Sequence, residues 1–196
     1  MFVASVLKDY ADKIIPKLIE NNYHIDENKM AKGGLGYEYL PEQSMFSHIV
    51  NAVFGFGRLM AYLLGNNLFS ISEEEFRQVI GEYTVHDMHK LAKEKLGNSE
   101  FSVPMELIEE EISKLRLADF ANINIHEVRA ANTHARSSHH GDRLFAGSGA
   151  TKRWNMIRIA DSMGSIAKPG NISGLESYIK RMSSTLGRAS DMVSWK

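Results

Sequence analysis

Cysteine is absent from this 196-residue chain, which excludes disulfides, thiolate zinc sites, iron–sulfur clusters and cysteine nucleophiles. Any metal must therefore be held by His, Asp or Glu. Net charge is nearly absent too, at -1, which argues against a protein that coats nucleic acid generally while leaving room for a local basic groove. No signal-peptide pattern opens the chain, because Lys8, Asp9, Asp12 and Lys13 interrupt the first apolar residues, and no stretch approaches the length of a membrane span. A cytoplasmic protein without a membrane partner is expected. Finally, no segment alternates as a sheet does, and no internal repeat is visible.

What is present is the composition of an ordinary globular protein, 43% hydrophobic and 24% charged, long enough for one domain with a real core. Residues 2 to about 20 space Phe2, Val3, Val6, Leu7, Tyr10, Ile14, Leu18 and Ile19 as one amphipathic helix kinked by Pro16. The segment to Tyr39, with Gly33, Gly34 and Gly36, has no period and reads as a loop. Pro41 then starts a long apolar helix through Met45, Ile49, Val53, Leu59 and Leu63, which Gly65 closes. His48 lies on it, and taken alone such a histidine is more often a satisfied core residue than a ligand.

Ser72 and Glu75 form a capping-box pattern, and Phe76, Val79, Ile80 and Tyr83 continue that helix into His86 and Asp87. Helical spacing puts Lys90 on the face of both, one turn on. A histidine directly followed by an aspartate in an apolar pattern is costly to bury without a partner, and a metal ion suits both. Gly97-Asn98 ends the helix, and Pro104 opens another through Leu107, Ile108, Ile112 and Leu115. Residues 100–127 carry seven acids against two bases, which reads as a solvated helix face.

Residues 129–158 reverse the sign, with Arg129, Arg136, Arg143, Lys152, Arg153 and Arg158 against Asp142 alone. A polyanion would be drawn there. Among or just before them fall His126, His134, His139 and His140, half of the 8 histidines. A last strong helix contains Trp154, Ile157, Ile159, Ala160, Met163 and Ile166 and stops at Pro169-Gly170, with Asp161 in its middle needing a buried partner or a way to water. Residues 170–196 read as one weaker helix and a tail. The fold expected is all-α.

In order, then, the chain offers His48, the pair His86-Asp87, a histidine cluster from His126 to His140, and a late Asp161. This order resembles the HD superfamily of metal-dependent phosphohydrolases. Within it, His139-His140, the Ala160-Asp161-Ser162 context, Leu40-Pro41-Glu42-Gln43-Ser44 ahead of His48, and Val85-His86-Asp87-Met88-His89-Lys90 look closest to the N-terminal HD nuclease domain of the type I-D CRISPR large subunit. The resemblance covers roughly 40–169 of a single domain spanning 1–196, flanked by the N-terminal helix and loop (1–39) and the C-terminal helix and tail (170–196). The palm-like domains and cysteine zinc motif fused to that family's HD domain have no counterpart here, so the chain looks like an isolated domain or a shortened version.

What the resemblance implies is an HD helical bundle that cleaves single-stranded DNA beside other subunits of a CRISPR effector complex. His48, His86, Asp87 and Asp161 would hold a first metal, with Asp87 able to bridge, and His134, His139 and His140 a second. His126 would replace His134 or merely cap a helix, and His24 and His89 are surface or structural residues. Such donors suit one or two ions of Mn, Fe, Co, Ni or Zn better than Mg. The metal lowers the pKa of its water, and Lys90, aided by Arg136 or Arg143, stabilises charge on the phosphate. Arg129, Arg136, Arg143, Lys152 and Arg153 would hold the strand, with Phe145 and Trp154 as stacking surfaces. Two other readings use the same residues: a phosphohydrolase of a nucleotide or cyclic nucleotide, which needs a closed pocket, and a non-catalytic docking module.

Overall fold

The computed structural model describes residues 2–24, 43–87, 104–126, 128, 156, 157, 159–161, 163 and 164, and the backbone of 30–32. Helices dominate them, so the all-α reading holds for this part of the chain.

The first apolar stripe buries Val3, Val6, Tyr10, Ile14 and Leu18 along one face. Its backbone is two helices, α1 (Val3–Lys13) and α2 (Ile15–Glu20). Pro16 explains the break: it has no N–H to donate and its ring crowds the carbonyl four residues back. The break is mild enough that Leu18 N still donates to Ile14 O, at 3.0 Å, and the stripe stays in register. Helix α2 ends in a Schellman motif, with Asn22 in the left-handed region (φ 61) and Tyr23 N donating to Leu18 O and Asn22 N to Ile19 O, both at 3.0 Å.

Two short strands follow, β1 (Met30–Lys32) and β2 (Gln43–Ser44), paired antiparallel. They correct the expectation of no sheet. Pairings of two or three residues are too short to carry a period, so alternation could not reveal them. Ser44 is at once the end of β2 and the N-cap of α3 (Met45–Gly65), its Oγ accepting from Ser47 N at 3.1 Å. The helix therefore begins at Ser44 rather than at Pro41, which lies outside the described residues. Gly65 is its last residue, as expected, but is not its left-handed cap. Asn67 takes the left-handed position (φ 56), with Leu68 N donating to Leu63 O at 2.8 Å and Asn67 N to Leu64 O at 3.2 Å.

Helix α3 is the central element, packed against α1, α2, α4 and both strands. Its buried face runs through Met45, His48, Ile49, Ala52, Val53, Phe56, Gly57, Met60 and Leu63. Gly57 permits the contact with α1: a Cβ there would stand 2.6 Å from Leu7 Cδ1. By length and composition alone α3 could cross a membrane, which corrects the expectation that no stretch approaches a span. His48, Asn51 and Arg58 disguise its apolar character in sequence, and here that character faces the core.

Helix α4 (Glu73–Thr84) starts as its capping box predicts, with Ser72 Oγ accepting from Glu75 N at 3.1 Å and Glu73, Glu74 and Glu75 at its positive end. It does not continue into His86 and Asp87: it stops at Thr84, and residues 85–87 form a turn. From Val79 to Asp87 every residue is buried, so the turn is inside the protein. Helix α5 (Met105–Lys114) follows Pro104, as expected. It is not simply a solvated acidic face, because Glu111 is buried and accepts a short hydrogen bond from Tyr23 Oη. A short 3-10 turn, Leu117–Asp119, follows. Beyond it, residues 125, 126 and 128 and the described residues from 156 to 164 are helical.

Candidate metal centre

Three separate elements deliver four polar side chains to one buried point. His48 comes from the first turn of α3, His86 and Asp87 from the turn after α4, and Asp161 from the late helical residues. One ligand atom from each can be chosen so that all lie within 4.8 Å of one another. His48 Nε2 is 3.0 Å from Asp161 Oδ1, and His86 Nε2 is 3.5 Å from Asp87 Oδ1 and 3.7 Å from Asp161 Oδ1. None of the four exceeds 5% exposure, so both carboxylates are withdrawn from water, an expense that a cation between them offsets.

The end of α4 explains how His86 is oriented. Its backbone N donates to Tyr83 O at 3.1 Å, and its ring Nδ1 lies 2.6 Å from the same carbonyl. A carbonyl only accepts, so Nδ1 carries a proton, and when the ring is neutral its Nε2 lone pair is turned toward Asp87 and Asp161. Three acceptors then face one another, an arrangement that asks for a cation rather than a hydrogen bond. Metal–ligand bonds of about 2.1 Å set neighbouring donor atoms roughly 3 to 3.5 Å apart, close to the separations seen here. Second bonds from ring N–H groups to backbone carbonyls are the usual support of metal-binding imidazoles. His48, His86, Asp87 and Asp161 are thus close enough, and suitable in kind, to hold a metal ion.

Three neighbours to which the sequence pattern gave no site role build the centre's walls. Tyr83 stacks its ring on His86, centroids 4.4 Å apart and planes 21° apart, and stands 6.3 Å from the His48 ring. Gly164, one turn after Asp161, presses its backbone on His48: a Cβ there would meet His48 Nδ1 and His48 O at 2.7 Å each. Gln43, buried at the start of β2, donates from Nε2 to Gly164 O at 3.0 Å. This bond joins the start of α3 to the Asp161 element across 121 positions. Their only sequence signals are the spacings Tyr83–His86 and Asp161–Gly164, each one helical turn.

Burial also shapes the surroundings. It pushes the Tyr83 phenol well above the ordinary tyrosine range, and the charges of Asp161 and then Asp87 push it further. Thr84 Oγ1 donates to Ile80 O at 2.8 Å, which spends its one proton, so Tyr10 Oη donates to Thr84 Oγ1 at 3.0 Å and ties α1 to the end of α4. Glu82, fully buried, accepts from Asn124 N at 3.3 Å.

No family model matches the chain, and no curated protein or solved structure matches it significantly. The centre is therefore read from its own geometry.

The other expected site residues fall differently. His126 is exposed and stands outside the four-residue group; Asn124 Oδ1 accepts from its backbone N at 3.1 Å, so Asn124, not His126, caps that turn. His24 is exposed, beside Phe46. Placing Lys90 by helical spacing assumed a helix through His86, and the described helix stops at Thr84. Lys90 itself, His89, His134, His139, His140, Arg129, Arg136, Arg143, Phe145, Lys152, Arg153 and Trp154 lie outside the described residues.

Proposed function

We propose that this chain is a metal-dependent phosphodiesterase built on an HD-domain bundle, cleaving single-stranded DNA as the nuclease of a type I-D CRISPR interference system. The observation that carries the reading is the His86 ring, held by Tyr83 O so that its Nε2 faces Asp87 and Asp161, with His48 3.0 Å from Asp161. The order histidine, His-Asp, late aspartate along the chain supports the HD assignment. When bound, a divalent transition metal supplies Lewis acidity, activating water and neutralising phosphate charge.

The chain's own share is to converge four donors, to keep bulk water from them, and to fix His86 in the tautomer that can ligate. In this reading Asp87 would also serve a second metal, for which His134, His139 and His140 would be the other ligands, and Lys90 would be the cation offered to the phosphate. The DNA half of the proposal is supported by the charge of residues 129–158, where Arg129, Arg136, Arg143, Lys152 and Arg153 outnumber a single acid. Partner subunits of an effector complex and a cytoplasmic location belong to the same proposal.

The test is incubation of the purified chain with labelled single-stranded DNA, duplex DNA, RNA and a nucleotide panel, with Mn, Fe, Co, Ni, Zn and Mg in turn. Metal-dependent cutting of single-stranded DNA is expected, abolished in His86→Ala and Asp87→Ala chains that still fold. Cutting that survives both changes would remove the centre from the chemistry. Turnover of nucleotides without strand cleavage would replace the substrate but keep the site.

A further inference from the structure

Tyr83 is the one fully buried phenol at the metal centre, and its hydroxyl has no hydrogen-bond partner among the described residues. The other two fully buried tyrosines among the described residues are both satisfied, Tyr10 on Thr84 and Tyr23 on Glu111. A buried hydroxyl left without an acceptor is costly, and such groups in native proteins need an explanation. Packing explains the ring, which covers one face of His86, but a phenylalanine would do that equally well. The oxygen is therefore the feature to account for.

Its surroundings say what it serves. The ring lies against His86 and near His48, two members of the four-residue group. The phenol is thus an O–H donor beside a centre otherwise made of two imidazoles and two carboxylates. The carboxylates' role toward the metal leaves the phenol proton for an oxygen that arrives with the ligand. We propose that the Tyr83 hydroxyl donates a hydrogen bond to a phosphate oxygen seated at the centre, making Tyr83 a substrate-binding residue of this site. The inference rests on the metal reading above and names the contact that the metal's phosphate ligand makes with the protein.

The test uses the full chain loaded with Co(II), whose visible absorption reports both metal binding and what joins the metal, and inorganic phosphate as the probe. Tyr83→Phe keeps the ring on His86, so Co(II) affinity is expected to be unchanged while phosphate affinity falls about tenfold, the order for a hydrogen bond to a charged acceptor. A second measurement needs no variant: phosphate added to the wild-type Co(II) protein should red-shift the ultraviolet absorption of one buried tyrosine, as a phenol does when it begins to donate. Equal phosphate affinity in the two proteins, or no tyrosine shift, overturns the role of Tyr83 and leaves the metal centre standing. No Co(II) binding by the wild-type chain overturns the centre and this contact together.

Discussion

A Cβ at Gly164 would lie 2.7 Å from a backbone oxygen of α3, His48 O, as well as from the His48 ring. Backbone cannot rotate out of the way as a side-chain tip can, so Gly164→Ala must move the Asp161 element off α3 or turn the His48 imidazole. Either change separates His48 Nε2 from Asp161 Oδ1. Overpacking of this sort costs about 1–3 kcal/mol, and metal affinity should fall by roughly tenfold, the equivalent of one such unit of lost geometry. Chelator competition and urea unfolding of the metal-free protein measure the two effects separately; wild-type affinity in the alanine chain would show that the close approach does not set the centre. Gly164 also marks the limit of sequence reading. His48, His86, Asp87 and Asp161 were legible because a buried acid or imidazole in an apolar helix needs a partner. Gly164, Gln43 and Tyr83 were not, because their meaning arises only where two distant segments touch.

At the scale of elements, the two serine caps separate stability from site geometry. Ser44 caps α3 four residues before His48, whereas Ser72 caps α4 at the end remote from His86. Each Ser→Ala change should cost about 1 kcal/mol of stability. Only Ser44→Ala should also weaken metal binding, because fraying the first turn of α3 loosens both His48 and the Gln43 bond to Gly164. Equal metal affinities in the two variants, by titration at matched folded fraction, would contradict that division. Capping at Ser72 was legible in the sequence, since the box is a local pattern. The cap at Ser44 was obscured by Pro41, a stronger local signal, because the choice between them depends on the pairing of β2 with β1. The end of α4 was unreadable for a similar reason: Tyr83 O receives both the N–H and the ring of His86, a competition that periodicity does not encode.

The whole molecule should respond to alkali through its buried tyrosines. Burial pushes the Tyr10 phenol far above its usual range, and burial with nearby carboxylate charge does the same for Tyr23, beside Glu111, and for Tyr83, near Asp161 and Asp87. An unfolded tyrosine loses its proton near pH 10 while these three keep theirs in the fold, so the native state binds more protons and stability falls as pH rises. The contribution is intact below about pH 10 and should decline by roughly 4 kcal/mol per pH unit above it, one proton for each tyrosine. Tyr10→Phe, measured by urea unfolding between neutral and strongly alkaline pH, should cut that slope by about a third, even though it loses the bond to Thr84 and starts from a lower stability. An unchanged slope would mean that Tyr10 ionises freely in the folded protein.

The centre couples to folding in the opposite sense from the core, because Asp87 and Asp161 share a buried point where two negative charges repel. With both carboxylates ionised and no metal between them, that repulsion would cost the fold stability. With metal, binding to the native state alone adds about 2.7 kcal/mol at a hundredfold excess over Kd, which for a chain of this length is a rise in Tm of roughly 5–10 °C. Asp87→Asn separates the two regimes. It removes one charge while keeping the shape, so the metal-free variant should melt no lower than the metal-free wild type. It also weakens a ligand, so its Tm should barely respond to Mn, Co, Ni or Zn. Differential scanning calorimetry with and without chelator reads both outcomes. A wild-type Tm indifferent to every metal would show that the four donors are a structural cluster; a metal-free Asp87→Asn chain that melts well below wild type would show that the carboxylate's charge is already compensated within the protein.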